Sequence, residues 1–144
     1  MMSIDKTLER LADLIQDNRF EQSETDGIEI KPIPPTGGEW KELRKSVNAF
    51  LNTRGGIVIL GVKEVGRGQS QRYEFTGWKP DAEDNLKSIA TCFTNREGHR
   101  LDLSERVQPP RLMPFLGGMV ALLYVDELSA DRKFVFLDGI AYKR

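Results

Sequence analysis

The chain has 144 residues, 39% of them hydrophobic and 30% charged, with a net charge of −1. That size and balance suit one compact domain with its own core, and the near-neutral charge argues against a strongly basic nucleic-acid clamp. No stretch is apolar enough to span a bilayer, the N-terminus carries acids where a secretory leader would be basic and then apolar, and Cys92 as sole cysteine excludes an internal disulfide, so a cytoplasmic location is expected.

In chain order, Leu8, Leu11, Ala12 and Ile15 recur at helical spacing and predict an amphipathic helix within residues 1–20, with Ser3 or Asp5 as N-cap. Residues 21–144 are read as the main domain. Ile28, Ile30 and Ile33 alternate with polar residues into Pro34-Pro35, which predicts a short strand and then a turn through Gly38. Trp40, Leu43, Val47, Phe50 and Leu51 mark a second helix. Gly55-Gly56 supplies its left-handed exit, and Ile57 to Leu60 is apolar enough for a fully buried strand.

Lys63 to Gln71 reads as a polar, mobile hairpin tip, with Tyr73 to Gly77 returning as the second strand. A third helix enters at Pro80-Asp81, places Leu86, Ile89, Ala90 and Phe93 on one face, and ends in the polar run 94–100. Leu101 to Val107 fits neither period and closes at Pro109-Pro110. Met119 to Val125 is another apolar strand, and Phe134 to Leu137 is expected to pair with Ile140 to Tyr142 across Asp138-Gly139. The sum is an α+β domain, a mixed and mostly antiparallel sheet packed with about three helices, without internal repeats.

The order of motifs resembles the Schlafen AlbA-type DNA-binding domain family. That family reads as an acidic stretch ending in Glu-Phe-Lys, a helix ending in Ala-Phe-x-Asn-x-x-Gly-Gly, and a strand ending in Gly-Val before acidic residues. Matching residues here are Glu24 with Glu29-Ile30-Lys31, then Ala49-Phe50-Leu51-Asn52-Thr53-Arg54-Gly55-Gly56, then Gly61-Val62-Lys63-Glu64. Lys133 to Arg144 looks like the family's closing hairpin with its Tyr-x-Arg ending, so the likeness spans about residues 21–144. It implies nucleic-acid binding, DNA before RNA, in a transcriptional regulator, with no cofactor. Family members often continue into a winged-helix segment, so the chain is expected to be either complete or an excised domain.

Some nucleases of the Schlafen type use acids corresponding to Glu24 and Glu29 with a third carboxylate after the Gly-Val strand, which implies a metal-dependent endoribonuclease as the alternative. Clustered carboxylates can hold Mg²⁺ or Mn²⁺ against a phosphate. Glu24 and Glu29 converge only if Asp26-Gly27 bends the chain, because five residues along a strand reverses the face. The third position departs from the pattern: Lys63 stands where an acid is expected, and Glu64 follows. Lys63 is a candidate partner for Glu29, and surface or salt-bridged acids are the simpler reading.

Gly56 to Glu64 lacks the Gly-Lys-Ser/Thr ending of a phosphate loop, so the label of divergent ATP-binding module sometimes given to related domains finds no support in these residues. His99 is the only histidine, which leaves neither a zinc cluster nor a His-based catalytic pair. Charge is uneven: residues 1–30 hold three basic and eight acidic side chains, and residues 38–80 hold eight basic and four acidic. The candidate phosphate contacts are therefore Lys31, Lys41, Arg44, Lys45, Lys63, Arg67 and Arg72. For any one of them taken alone, a solvated face is the preferred reading. Tyr73, Phe75 and Trp78 lie near Arg67 and Arg72, and core packing is preferred to base stacking for them. A protein-interaction module, including a homodimer, is the third class of function.

Overall fold

The computed structural model describes residues 3–35 and 40–144, so the turn expected through Gly38 lies mostly outside the described residues. Helix α1 (Ile4–Gln16) starts at Ser3, whose Oγ accepts the Lys6 N–H at 3.3 Å, which decides between the two candidate caps. Strands β1 (Ile28–Lys31), β2 (Gly56–Leu60), β5 (Arg111–Phe115) and β6 (Gly118–Val125) form one sheet in the order β1-β2-β6-β5. The β1–β2 pair is parallel and the other two pairs are antiparallel.

The central strands are apolar because both sheet faces are covered. Helix α2 (Lys41–Asn52) packs over Val58, Leu60, Ala121, Leu123 and Val125. Helix α1 packs over Ile30, Ile59, Val120 and Leu122 on the opposite face. The register Val58↔Leu123 and Ile59↔Leu122 keeps the two sets apart, since successive side chains alternate between faces.

At Gly61 the chain leaves this sheet. Its φ is 120°, its N–H donates to the Lys31 carbonyl at 2.9 Å, and its own carbonyl accepts from both Thr76 and Gly77 at 2.8 Å. Only glycine adopts this backbone readily. The corner launches β3 (Val62–Val65), which pairs with β4 (Arg72–Phe75) as a separate hairpin beside α1.

The third helix is broken into a tight turn at Pro80–Ala82, a short α3 (Glu83–Lys87) and a second tight turn at Ser88–Thr91. The expected apolar positions Leu86, Ile89, Ala90 and Phe93 still enter the core. Side-chain competition accounts for the break, because Ser88 Oγ donates to the Asn85 carbonyl at 2.7 Å and Thr91 Oγ1 to the Ser88 carbonyl at 3.3 Å. Residues 101–107 form an irregular strap that buries Leu103 and Val107 and bridges Val107 to Val125.

The closing hairpin is reduced to one bridge, Leu137↔Ile140, and Phe136 pairs instead with Thr94. The missing ladder bonds are made by two buried asparagines of α2. Asn52 Oδ1 accepts the Val135 N–H at 2.9 Å, while Asn52 Nδ2 donates to the carbonyls of Val135 and Tyr142 at 3.0 and 3.1 Å. Asn48 Oδ1 accepts the Tyr142 N–H at 2.8 Å, and its Nδ2 donates to the Val135 carbonyl at 3.2 Å. The two stand four apart, hence on one helix face, and are bonded to each other at 3.2 Å. They take the place of a strand partner for the C-terminal segment.

Asn52→Ala should therefore cost roughly 2–4 kcal/mol in denaturant unfolding, because it orphans the Val135 N–H and the Tyr142 carbonyl at about 1–3 kcal/mol each. Gly56→Ala should cost roughly 1–3 kcal/mol by the same measurement, since a Cβ there would lie 2.3 Å from the Phe50 ring.

Candidate nucleic-acid interface

The acidic stretch bends at Asp26-Gly27, the condition for Glu24 and Glu29 to converge. Thr25 and Ile28 exchange backbone hydrogen bonds of 3.0 and 3.3 Å around Asp26-Gly27. This folds Glu24 back onto β1, where its Oε2 accepts the Ile30 N–H at 2.9 Å. Burial pushes the Glu24 carboxyl above the usual glutamate value; the Ile30 N–H and Lys31 oppose the shift, and the charges of Glu29 and Glu64 add to it. The three acids thus share one electrostatic neighbourhood.

They do not form a metal-ligand set. Glu29 Oε2 is paired with the Arg144 guanidinium, and its Oε1 lies 3.8 Å from Lys31 Nζ. Arg144 is further fixed by donating to the carbonyls of Asp26 and Thr25 at 3.0 and 2.6 Å, and by lying over the Phe50 ring at 4.4 Å. Glu64 is exposed, opposite Tyr73 in the hairpin register. Among the described residues no group of three acids, histidines or cysteines could hold an ion. The residues present do not fit Mg²⁺ or Mn²⁺, because Glu29 is already neutralised from two sides. Lys63 is not its partner; Lys63 sits across from Glu74 on β3 and is exposed.

Six of the seven candidate cations fall into two groups, because α2 and the β3–β4 hairpin pack on opposite faces of the sheet. Lys63, Arg67 and Arg72 belong to the hairpin, where Arg72 is 3.3 Å from Glu74. Lys31 is occupied by Glu29 at the edge of the sheet. Lys45 pairs with Glu42 at 3.3 Å and lies 5.6 Å from the Tyr142 ring.

Lys41 and Arg44, on the first turn of α2, line a pocket of about 390 Å³ together with Arg100. None of these three has a carboxylate within ion-pair distance among the described residues, although Asp138 lies on the pocket wall. Cys92, also on the wall, has a thiol pushed up by burial, with Arg44 and Arg100 pulling the other way. Arg100 escapes sequence reasoning because it sits in the polar run that ends the third helical segment, far along the chain from α2.

The aromatic side chains are core residues. Tyr73 is buried, its ring 5.0 Å from that of Phe20; its hydroxyl donates to Gln22 Oε1 at 3.0 Å and accepts the Ser23 N–H at 3.1 Å. Phe75 packs on Phe115 at 5.3 Å, and Trp78 is half-buried against the α2 side of the core. The preferred packing reading holds.

No family model matches the chain, and no curated protein matches it by sequence. Among solved structures, it is similar to the N-terminal domain of a protein from Nitrosomonas europaea named as related to the ATP-dependent DNA helicase RecG. The TM-score is 0.64 at 23% identity, over 100% of this chain and 89% of that one. This likeness shows a shared α+β fold. The DIP2311 protein of Corynebacterium diphtheriae aligns at a TM-score of 0.41 and 18% identity, over 86% of this chain and 26% of that one.

The perturbed acid supplies a pH signature. A carboxyl whose folded value exceeds its unfolded one makes the fold less stable as pH rises through that interval. Glu24→Gln keeps an acceptor for Ile30 and removes the charge. Its melting temperature should exceed that of the parent near neutral pH, and the difference should vanish below the ordinary glutamate range in a thermal-melt series.

Proposed function

We propose that this is a nucleic-acid-binding domain of the Schlafen AlbA type, with DNA the first choice of ligand, serving in a regulatory protein. The observation that carries the reading is the convergence of Lys41, Arg44 and Arg100 without carboxylate partners among the described residues. Unpaired cations gathered on one surface attract phosphates and release counterions on binding, whereas cations already paired with acids gain less. The acidic stretch, the helix ending in Asn-x-x-Gly-Gly, the Gly-Val strand and the closing Tyr-x-Arg segment occur in the order of the family's motifs, which supports the family reading. The name of the structural neighbour, a relative of a DNA helicase, points the same way. The ion pairs that hold Glu29 favour a binding reading over a hydrolytic one.

Fluorescence anisotropy with labelled single-stranded and duplex DNA and RNA, at two salt concentrations, tests this. Salt-sensitive binding is expected. Replacing Lys41 and Arg100 together by Gln should lower the slope of log affinity against log salt by about two. Replacing Arg67 and Arg72 should change it less, since Arg72 is held by Glu74. Absence of binding to every probe, with the melting transition intact, would overturn the proposal and favour a protein-interaction module.

A further inference from the structure

Arg44, on the wall of the pocket between α2 and the 88–92 turn, carries a donor without an acceptor. Arg44 Nε is shielded from solvent and has no hydrogen-bond partner, the one such buried side-chain atom among the described residues. A buried guanidinium N–H left unpaired is costly, so native structures rarely keep one idle. The pocket's own walls offer it nothing. No acceptor there lies within hydrogen-bond distance of it, and the Ser88, Thr91 and Cys92 side chains are turned toward the carbonyls of Asn85, Ser88 and Ile89 instead. Asp138 lines the cavity but pairs with none of the three cations.

We infer that this pocket is a binding site for a single phosphate group, held between Arg44, Arg100 and Lys41. The chemistry selects the ligand class. Three cations approach from two separate segments, which suits a tetrahedral oxyanion carrying more than one charge and several acceptor oxygens. The first turn of α2 adds the positive end of its dipole to the same wall. Asp138 opposes the anion and sets its affinity. The site rests on the nucleic-acid reading only for the source of the phosphate, which is either a nucleic-acid phosphate or the free ion.

Cys92 provides the readout, because it is the only thiol of the chain and lies on the pocket wall. Its alkylation by iodoacetamide, a neutral reagent, is followed against inorganic phosphate with chloride holding ionic strength constant. Saturable slowing is expected in the parent. Arg100→Gln, an exposed position chosen to preserve folding, should weaken the apparent phosphate affinity by about tenfold, the loss of one charge-assisted contact. Asp138→Asn should tighten it. No phosphate effect on the alkylation rate, or an effect untouched by both substitutions, overturns the site.

Oligonucleotides with and without a terminal phosphate then identify the source. Equal protection of Cys92 assigns an internucleotide phosphate, protection by the phosphorylated one alone assigns a terminal group, and protection by inorganic phosphate alone assigns the free ion. That last result keeps the pocket and removes its link to nucleic acid. Nucleic-acid binding that leaves Cys92 alkylation unchanged, with no protection by inorganic phosphate, does the reverse.

Discussion

The paired amides of Asn48 and Asn52 are the interaction on which the rest of the molecule depends. Buried in the core, they satisfy main-chain groups of Val135 and Tyr142 that no strand satisfies. Backbone polar groups in a core need partners, and amide side chains supply both a donor and an acceptor from one residue. Through this clamp the last dozen residues are drawn against α2, and three consequences follow. Arg144 reaches across the chain to Thr25, Asp26 and Glu29. Tyr142 comes under Lys45. Leu137 and Asp138 become part of the wall facing Lys41 and Arg44.

Placement of Arg144 decides the character of the acidic loop. A trio of glutamates in one neighbourhood resembles a metal site when only the acids are counted. Once a guanidinium and an ammonium flank Glu29, its negative charge is already compensated, and an incoming cation would have to compete with both. Glu24, by contrast, has the Ile30 N–H and the more distant Lys31, and burial raises its carboxyl above the usual glutamate value. The acids therefore divide into one that is paired, one that is partly desolvated and one that is solvated.

The sheet imposes the complementary constraint on the cations. Because its two central strands bury both faces, one helix must cover each side, and the β3–β4 hairpin shares the α1 side. Basic residues that are close in sequence, such as Lys45 and Lys63, are separated by this layer. The concentration of positive charge that survives lies at the start of α2, where Arg100 joins Lys41 and Arg44 from a distant segment.

Local pattern alone determined the α+β class, the first amphipathic helix, the α2 core stripe, the Gly55 exit and the apolar strands, because each is set by side-chain period and glycine's access to positive φ within a short window. The bend at Asp26-Gly27 was permitted by those residues without being required by them. Tertiary structure alone decided that the closing hairpin is stitched by Asn48 and Asn52, that Arg144 neutralises Glu29, and that Arg100 completes a cationic pocket. Those outcomes depend on partners some 50 to 115 residues apart. Nothing in the spacing along the chain records such distances; only the packing of the two helices on opposite faces of one sheet brings the groups together.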